Sequence, residues 1–378
     1  MYTNPMNELK TDPYSTIAVD ANPATRAVMT GTEVFAREVA RRLPGLAPDL
    51  AWRFYSGRAA AGLGIDLTVI PFPRLWSQVR LPLELARTRP DLFVTLAHVV
   101  PEACRVPALQ VIHDLAYERF PEAYRPGARA YLRHTTRRAA RVCAVLVAIS
   151  ESTRRDLAEL YEVDPERVEI ANPGGGEGTP APATAKDAER LAELGVRGRF
   201  ALHIGRVEKR KNQAAALAAV ERVPGLTLVS AGAEHDPDLA ASLRRNHRAL
   251  LLGWVSDDER DLLYRRAEAL VFPSLYEGWG IPVLEAMRAG LPVVTVRGSS
   301  LPEVGGDAAL YVDDPHDAEG LAVHLARLAA DPALRSALVE AGRTRAATFT
   351  WERTAQSVLK AIRRRLRELA QQRLAQRR

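Results

Sequence analysis

Apolar runs of strand length recur along this chain, most of them followed by a stretch with helical spacing, and the series stops once and starts again. Before the break the runs lie at Ile17–Asp20, Ala51–Tyr55, Leu67–Ile70, Leu92–Thr95, Ala108–Ile112 and Val142–Ile149. After it they lie at Phe200–Ile204, Leu226–Ser230, Ala249–Leu252, Ala269–Phe272 and Pro292–Val296. Between them, Glu33–Leu43 spaces Val34, Phe35, Val39 and Leu43 for one helix face. Ser150 is placed to cap a helix opening at Glu151, and Ser256 with Glu259 forms a capping box. The break runs from Asn172 to Thr184 and is dominated by glycine and proline, which hold no regular structure. Strands alternating with crossover helices predict parallel sheets. The expected class is therefore α/β, with two doubly wound, Rossmann-like domains facing a central cleft and ligands at the carboxyl ends of the strands. The boundaries expected are 14–172, 173–350 with helices at Asp317–Ala330 and Pro332–Ala347, and a basic helix over 351–378.

With 378 residues, 47% of them hydrophobic and 26% charged, two cored domains are affordable. Cys104 and Cys143 sit in or beside apolar runs and are expected as buried thiols. Met1–Pro13 is polar, and no apolar stretch approaches the roughly 18 residues of a membrane span, so a cytoplasmic chain is the expectation. The net charge of +6 is concentrated. Nine Lys or Arg and two Glu between Glu352 and Arg378 give that segment +7 and leave the body near −1, which argues against a nucleic-acid groove.

The richest chemistry lies at 273–293. An apolar strand ending at Phe272 runs into a turn with Gly278 and Gly280, then into a helix with Pro282 near its first turn. Such a junction offers backbone N–H groups and a positive dipole end to an anion. Glu277 and Glu285 bracket it and add acceptors for sugar hydroxyls. A second strand end carries Gly205-Arg206 and Lys211, cations that can offset charge on a departing diphosphate. His113-Asp114 closes the run Ala108–Ile112; the histidine can bond a sugar hydroxyl or simply pack, with Asp114 orienting its ring. Thr30-Gly31-Thr32 could hold an acceptor or phosphate, and a plain helix-opening turn explains it equally well. Asp236-Pro237-Asp238 reads as a helix start; no metal site is expected.

These motifs resemble the retaining GT-B glycosyltransferases of family four, the glycosyl transferases group 1, from about Ile17 to about Ala355. The similarity is most specific at Glu277 and Glu285, within Phe272–Gly280, and extends to Gly205-Arg206 with Lys211, to Val111–Asp114 and to Ala148–Ser152. Asn172-Pro173-Gly174 departs from the family's usual Pro-Asn-Gly. The resemblance implies a nucleotide sugar bound by the second domain, with Glu277 on the sugar hydroxyls and Glu285 on the ribose. Amides of Gly278, Trp279 and Gly280 would face the sugar and phosphates; Ser230–Gly232 and Gly253, Trp254 and Val255 would flank the base. Arg206 and Lys211 would take the place of a metal, no cofactor would be needed, and the anomeric configuration would be retained. The C-terminal helix would cross back onto the first domain. The implied reaction moves a hexose from a GDP or UDP sugar to a glycan or lipid-linked acceptor in polysaccharide or cell-envelope synthesis.

Two rivals stand beside it: a sugar-nucleotide epimerase of similar fold, and a non-catalytic nucleotide-sugar-binding subunit. The terminal helix has an apolar stripe, Val358, Leu359, Ile362, Leu366 and Leu369, with Arg363, Arg364 and Arg367 off it. Arg129, Arg133, Arg137 and Arg141 share a second helix face. Both are expected either as solvated flanks of packed helices or as contacts to an anionic membrane at the inner face of the cell membrane.

Overall fold

The computed structural model describes residues 15–27, 29–97, 99–175 and 184–377. Two parallel sheets organise them. The first comprises β1 (Thr16–Asp20), β2 (Ala51–Ser56), β3 (Leu67–Val69), β4 (Leu92–Thr95), β5 (Ala108–Ile112), β6 (Leu146–Ala148) and β7 (Val168–Ile170), in the order β3-β2-β1-β4-β5-β6-β7. The second comprises β8 (Arg199–Ile204), β9 (Leu226–Ala231), β10 (Ala249–Gly253), β11 (Ala269–Phe272), β12 (Val293–Val296) and β13 (Ala309–Val312), ordered β10-β9-β8-β11-β12-β13. Each order reverses direction once, between β1 and β4 and between β8 and β11. Those reversals are the topological switch points where a doubly wound sheet opens a crevice at its carboxyl edge.

The central strands are mostly apolar because helices cover both faces: β4, β5, β11 and β12 are buried along their whole length, with Thr95, Gln110 and Thr295 as buried polar exceptions. Two strands escaped the sequence pattern. β7 is a three-residue edge strand between Arg167 and Asn172 with a glutamate at its centre, and β13 has two half-exposed residues, Leu310 and Tyr311, between buried ends. Val142 ends the helix Pro126–Val142 instead of opening β6, because the apolar run there spans a helix end and a strand start. Ser150 accepts from the Thr153 amide at 3.0 Å, and Ser256 pairs with Glu259 in a capping box.

The chain divides into two compact units. One takes residues up to Glu118, Arg125–Pro173 and the segment from Trp351; the other takes Arg119–Tyr124 and Gly174–Thr350. The helix Trp351–Gln376 thus belongs with the first unit, where it packs along the helix Gly31–Leu46 and Trp351 meets Phe35 edge to face. Thr354 donates to the Asn172 carbonyl at 2.7 Å, fixing the start of that helix. The N-terminal segment read for a leader, the greater part of the Gly/Pro-rich break (176–183) and Arg378 lie outside the described residues.

Most basic groups of the terminal helix are partnered within the first unit. Lys360 and Arg364 reach Glu169 at 2.8 and 3.2 Å, Arg363 reaches Asp49 at 2.8 Å, Arg365 reaches Glu368 at 3.1 Å, and Arg373 reaches Asp91 at 2.9 Å. On the helix Pro126–Val142, Arg129 and Arg133 both pair with Glu118, while Arg137 and Arg141 stay exposed. Cys104 and Cys143 are free thiols, the latter buried. Among the described residues no helix is long and apolar enough to cross a membrane.

Candidate active site

The carboxyl ends of β8 and β11 are neighbours in the sheet, so the loops leaving them meet. The β8 loop runs Gly205 to Asn212 and is pinned at its far end. Asn212 sits in left-handed backbone at φ 56°, which asparagine tolerates, and its Nδ2 donates to the carbonyls of Pro273 and Pro315 at 3.0 and 2.7 Å. The β11 loop is tied back in turn: the Leu275 amide donates to the Arg210 carbonyl at 2.9 Å, and Arg210 Nη1 donates to the Tyr276 carbonyl at 2.5 Å.

This lacing brings Lys211 and Glu277 together. Lys211 Nζ stands 2.6 Å from Glu277 Oε1 and lies over the Phe272 ring at 5.5 Å; Arg210 Nη1 stands 3.6 Å from Glu277 Oε2. Glu277 is buried. Burial alone would raise its pKa, but Lys211 and Arg210 outweigh it and hold the carboxyl below its usual range. The Glu277 amide donates to Ser299 Oγ at 2.9 Å, and Ser300 Oγ donates to the Glu277 and Trp279 carbonyls at 2.9 and 2.6 Å. Gly280 then turns the chain at φ 118°, a conformation glycine adopts freely, into the helix Ile281–Ala289.

Glu285, on that helix, accepts from the Tyr264 hydroxyl at 2.8 Å. Burial raises its pKa, and the nearby Arg260 opposes the rise only partly, so its ionised form is disfavoured where that of Glu277 is favoured. Beneath the basic loop lies His203, fully buried on β8. Its Nε2 lies 3.2 Å from the Lys211 carbonyl, its ring packs on Phe272, and its Nδ1 has no partner among the described residues. Desolvation pushes its pKa down to about 4, so it is neutral at ordinary pH.

The other expected residues divide by place. Arg206 is exposed, and its guanidinium has no partner among the described residues. Gly232 (φ 146°) approaches Gly205 so closely that a Cβ would stand 2.1 Å from the Gly205 carbonyl, and its amide donates to Gly253 at 2.7 Å. Ser230 Oγ is buried and unpartnered among the described residues; Trp254, two residues before the cap Ser256, is exposed. Trp279 is buried with its ring edge-on to Phe349 at 5.1 Å, so only its backbone can serve a ligand.

In the first unit, His113 Nε2 lies 2.7 Å from the Leu96 carbonyl and its ring meets Phe35 at 5.0 Å, while Asp114 Oδ1 takes the Ala116 amide. Thr30 gives both amide and hydroxyl to Glu33 Oε2 in a capping box, which leaves the amides of Gly31 and Thr32 at the helix start. Asp236 caps the helix Pro237–Arg244 through the Leu239 amide at 3.0 Å.

Sequence reasoning passed over Arg210, Asn212, His203, Tyr264, Ser299 and Ser300. Arg210 sits between the two lysines of a basic loop, and nothing in the spacing tells which of the three turns inward. The serines follow β12 and carry no pattern of their own.

Residues 190–345 match the family of glycosyl transferases group 1, and residues 29–174 match Glycosyltransferase Family 4. The chain is similar to O-antigen chain mannosyltransferase B of Escherichia coli, with 31% identity over 258 residues, covering 65% of this chain and 67% of the relative. It is 33% identical over 238 residues to D-inositol 3-phosphate glycosyltransferase of Salinispora arenicola, covering 57% of this chain and 53% of that protein, about half its length. Among solved structures, Anabaena HepE in complex with UDP and glucose superposes with a TM-score of 0.73 over 92% of this chain and 98% of its own, at 17% identity, a likeness of fold.

Proposed function

We propose that this chain, which belongs to the glycosyl transferases group 1 of family four and has their GT-B fold, moves a hexose from a nucleoside-diphosphate sugar to a glycan or lipid-linked acceptor in cell-envelope synthesis. The observation that carries this reading is the Lys211–Glu277 pair at the switch point of the second sheet, with Arg210 behind it and the N-terminus of the helix Ile281–Ala289 beside it. A buried carboxylate held ionised by two cations is a strong acceptor for sugar hydroxyls. The same cations, with the exposed Arg206, are placed to receive a diphosphate.

In the proposed reaction the diphosphate lies against Arg206, Lys211 and the Gly278–Gly280 amides. Glu277 accepts from hydroxyls of the donor sugar, Glu285 from the ribose, and Trp254 with Ser230 and Gly232 borders the base. The acceptor oxygen attacks C1 on the face the phosphate leaves. The bond from C1 to the phosphate oxygen breaks, and its electron pair goes to the diphosphate, which also takes the proton of the acceptor hydroxyl. Configuration is retained and no side-chain nucleophile is required. The cations do the work a divalent ion does elsewhere, so neither metal nor cofactor takes part.

A sugar-nucleotide epimerase is not favoured, since family membership speaks for transfer. The donor is open between GDP and UDP sugars. A thermal-shift panel of nucleotide sugars and free nucleotides tests the reading. The true donor raises Tm in proportion to its affinity, and Lys211→Ala abolishes the rise. A panel in which no nucleotide stabilises the wild type overturns the proposal.

A further inference from the structure

Glu277 is held by more than the charges at its carboxylate. β12 lies beside β11 in the second sheet, so the chain leaving β12 meets the loop that carries Glu277. Two consecutive serines of that chain take the Glu277 backbone. Its amide donates to Ser299 Oγ at 2.9 Å, and its carbonyl accepts from Ser300 Oγ at 2.9 Å. Ser300 is fully buried and shares its proton with the Trp279 carbonyl at 2.6 Å, while a Cβ on Gly280 would stand 3.0 Å from Leu301 Cδ2. Three residues of the turn at 277–280 are thus registered against three consecutive residues of one neighbouring loop.

Ser299 makes its bond from a strained position, at φ 46°. Left-handed backbone crowds the Cβ of an L-residue and is by default a place for glycine or asparagine. Among the described residues of the second unit, only Asn212 and Ser299 adopt positive φ without being glycine. Asn212 fixes the end of the loop that bears Lys211, and Ser299 fixes the loop that bears Glu277. The helix opening at Leu301 does not need the serine. Its first bonds run from the Leu301 amide to the Gly298 carbonyl at 3.1 Å, and from the Glu303 and Val304 amides to the Ser300 carbonyl at 3.0 and 3.1 Å. A glycine at 299 would make the same turn without strain, but it has no hydroxyl to give the Glu277 amide. Strain that persists beside a site points to a role in what the site does.

The geometry of the clamp tells what that role is. The carboxylate is drawn by Lys211 at 2.6 Å and Arg210 at 3.6 Å, but an ammonium on a flexible stem is a point charge with little directional preference. Direction comes from the backbone. The Glu277 amide belongs to the peptide plane before its Cα and the carbonyl to the plane after it, so the two serine bonds together fix φ and ψ of Glu277. They therefore aim its side chain. The second plane also contains the Gly278 amide, which points opposite to the Glu277 carbonyl across a trans peptide and hence away from Ser300. One clamp orients both the carboxylate and the first amide of the turn that opens the helix Ile281–Ala289.

We infer that Ser299 is a positioning residue for sugar transfer: its left-handed backbone brings up the hydroxyl that fixes Glu277, and Ser300 completes the clamp. This rests on the proposed role of Glu277 as the carboxylate that receives hydroxyls of the donor sugar. Ser299 touches neither donor nor acceptor and acts through Glu277 alone. Its strain is kept for rate, not for stability.

Thermal melts and steady-state release of nucleoside diphosphate, from the GDP or UDP sugar that stabilises the protein, test Ser299→Gly alone and combined with Glu277→Gln. Ser299→Gly relieves the backbone and loses one hydrogen bond, so Tm stays within about 3 °C of the wild type. Its kcat falls by about tenfold or more, because a small displacement of Glu277 is felt at the reacting centre, while KM for the donor changes by less than about threefold. Added to Glu277→Gln, Ser299→Gly slows release by less than about twofold further, since the group it positions is already gone. The inference is overturned if Ser299→Gly turns over like the wild type, if its effect falls on KM with kcat unchanged, if its loss multiplies in full with that of Glu277→Gln, or if Tm drops well beyond 3 °C and the serine is a structural clamp only. A wild type that releases no nucleotide, or a Glu277→Gln variant with near-normal release, is a different failure: it removes the donor-site assignment and the role of Ser299 with it. A slow Glu277→Gln beside a normal Ser299→Gly sinks this inference alone.

Discussion

The two sheets are wound in the same order about the same kind of switch point, yet their carboxyl ends carry opposite chemistry. At the ends of β8 and β11, three charged side chains converge and a buried carboxylate is kept ionised by its neighbours. Beside β1 the polar groups close on one another. The Asn22 amide donates to Asp20 Oδ1 at 3.0 Å, and Asn22 Oδ1 accepts from Ser56 Oγ at 3.2 Å and the Gly57 amide at 3.1 Å. Thr25 Oγ1 donates to the Asn22 carbonyl at 2.8 Å. The first set is a cluster of opposed charges at a loop edge; the second is a local network that shapes a loop. Topology supplies a crevice in both units, and the residues at its rim decide which can hold a charged ligand.

That contrast is broken most directly at Glu277 and Lys211. Glu277→Gln and Lys211→Ala are each expected to lower turnover by about 10²- to 10³-fold, the scale of one preorganised electrostatic contact. Steady-state rates with the donor that stabilises the protein decide it, and near-normal turnover in either variant removes the site assignment. Because Glu277 is buried, its loss also leaves Lys211 without its counter-charge, while Arg210 keeps Glu208 at 2.7 Å, so a lowered Tm should accompany Glu277→Gln. The carboxyl is held below its usual range, so the stability it contributes is present above pH 4.5 and fades as pH falls through the folded value.

A comparable effect, confined to acid, attaches to His203. Its folded pKa of about 4 lies below the ordinary 6.5. The unfolded chain therefore binds the proton more readily, and stability falls as pH drops from 6.5 toward 4, by about 3 kcal/mol in all. Thermal melts across that window should flatten in His203→Gln. A variant that melts with the same pH slope as the wild type assigns the acid sensitivity elsewhere.

In the first unit the expected effect is smaller. His113→Ala removes the 2.7 Å hydrogen bond to the Leu96 carbonyl, about 1 kcal/mol, and should lower Tm slightly while changing kcat/KM by no more than roughly fivefold. A loss of turnover as large as that of Glu277→Gln would give the first unit an equal part in the reaction and erase the contrast. The smallest expected change is none: turnover should be the same in EDTA. Activity lost on chelation and restored by Mg²⁺ would transfer the diphosphate's charge from Arg206 and Lys211 to a metal.

The alternation of strands and helices was legible because burial on both faces of a parallel sheet demands near-continuous apolar runs, and β4, β5, β11 and β12 show them with at most one polar residue each. Edge strands obey no such demand, which is why β7 went unseen. The helix caps at Ser150, Ser256 and Asp236 were equally local, each needing only a side chain and an amide three residues on.

By itself, then, the chain determined two doubly wound sheets, the strand-to-helix junctions at Gly205 and Gly278, and the presence there of cations and carboxylates. These follow from periodicity and from turn chemistry, which act within a few residues. Which cation meets which carboxylate was decided only in three dimensions. Arg210 rather than its neighbour Lys209 turns toward Glu277, because Asn212 and the Tyr276 carbonyl fix the loop from residues more than sixty positions away. The basic tail shows the same division. Its charge was plain in the sequence, but whether that charge was free depended on Asp49, Asp91 and Glu169, acids that no local pattern connects to the helix Trp351–Gln376. Coulombic pairing acts through space, and only the packing of that helix against the first unit brings those charges within reach of one another.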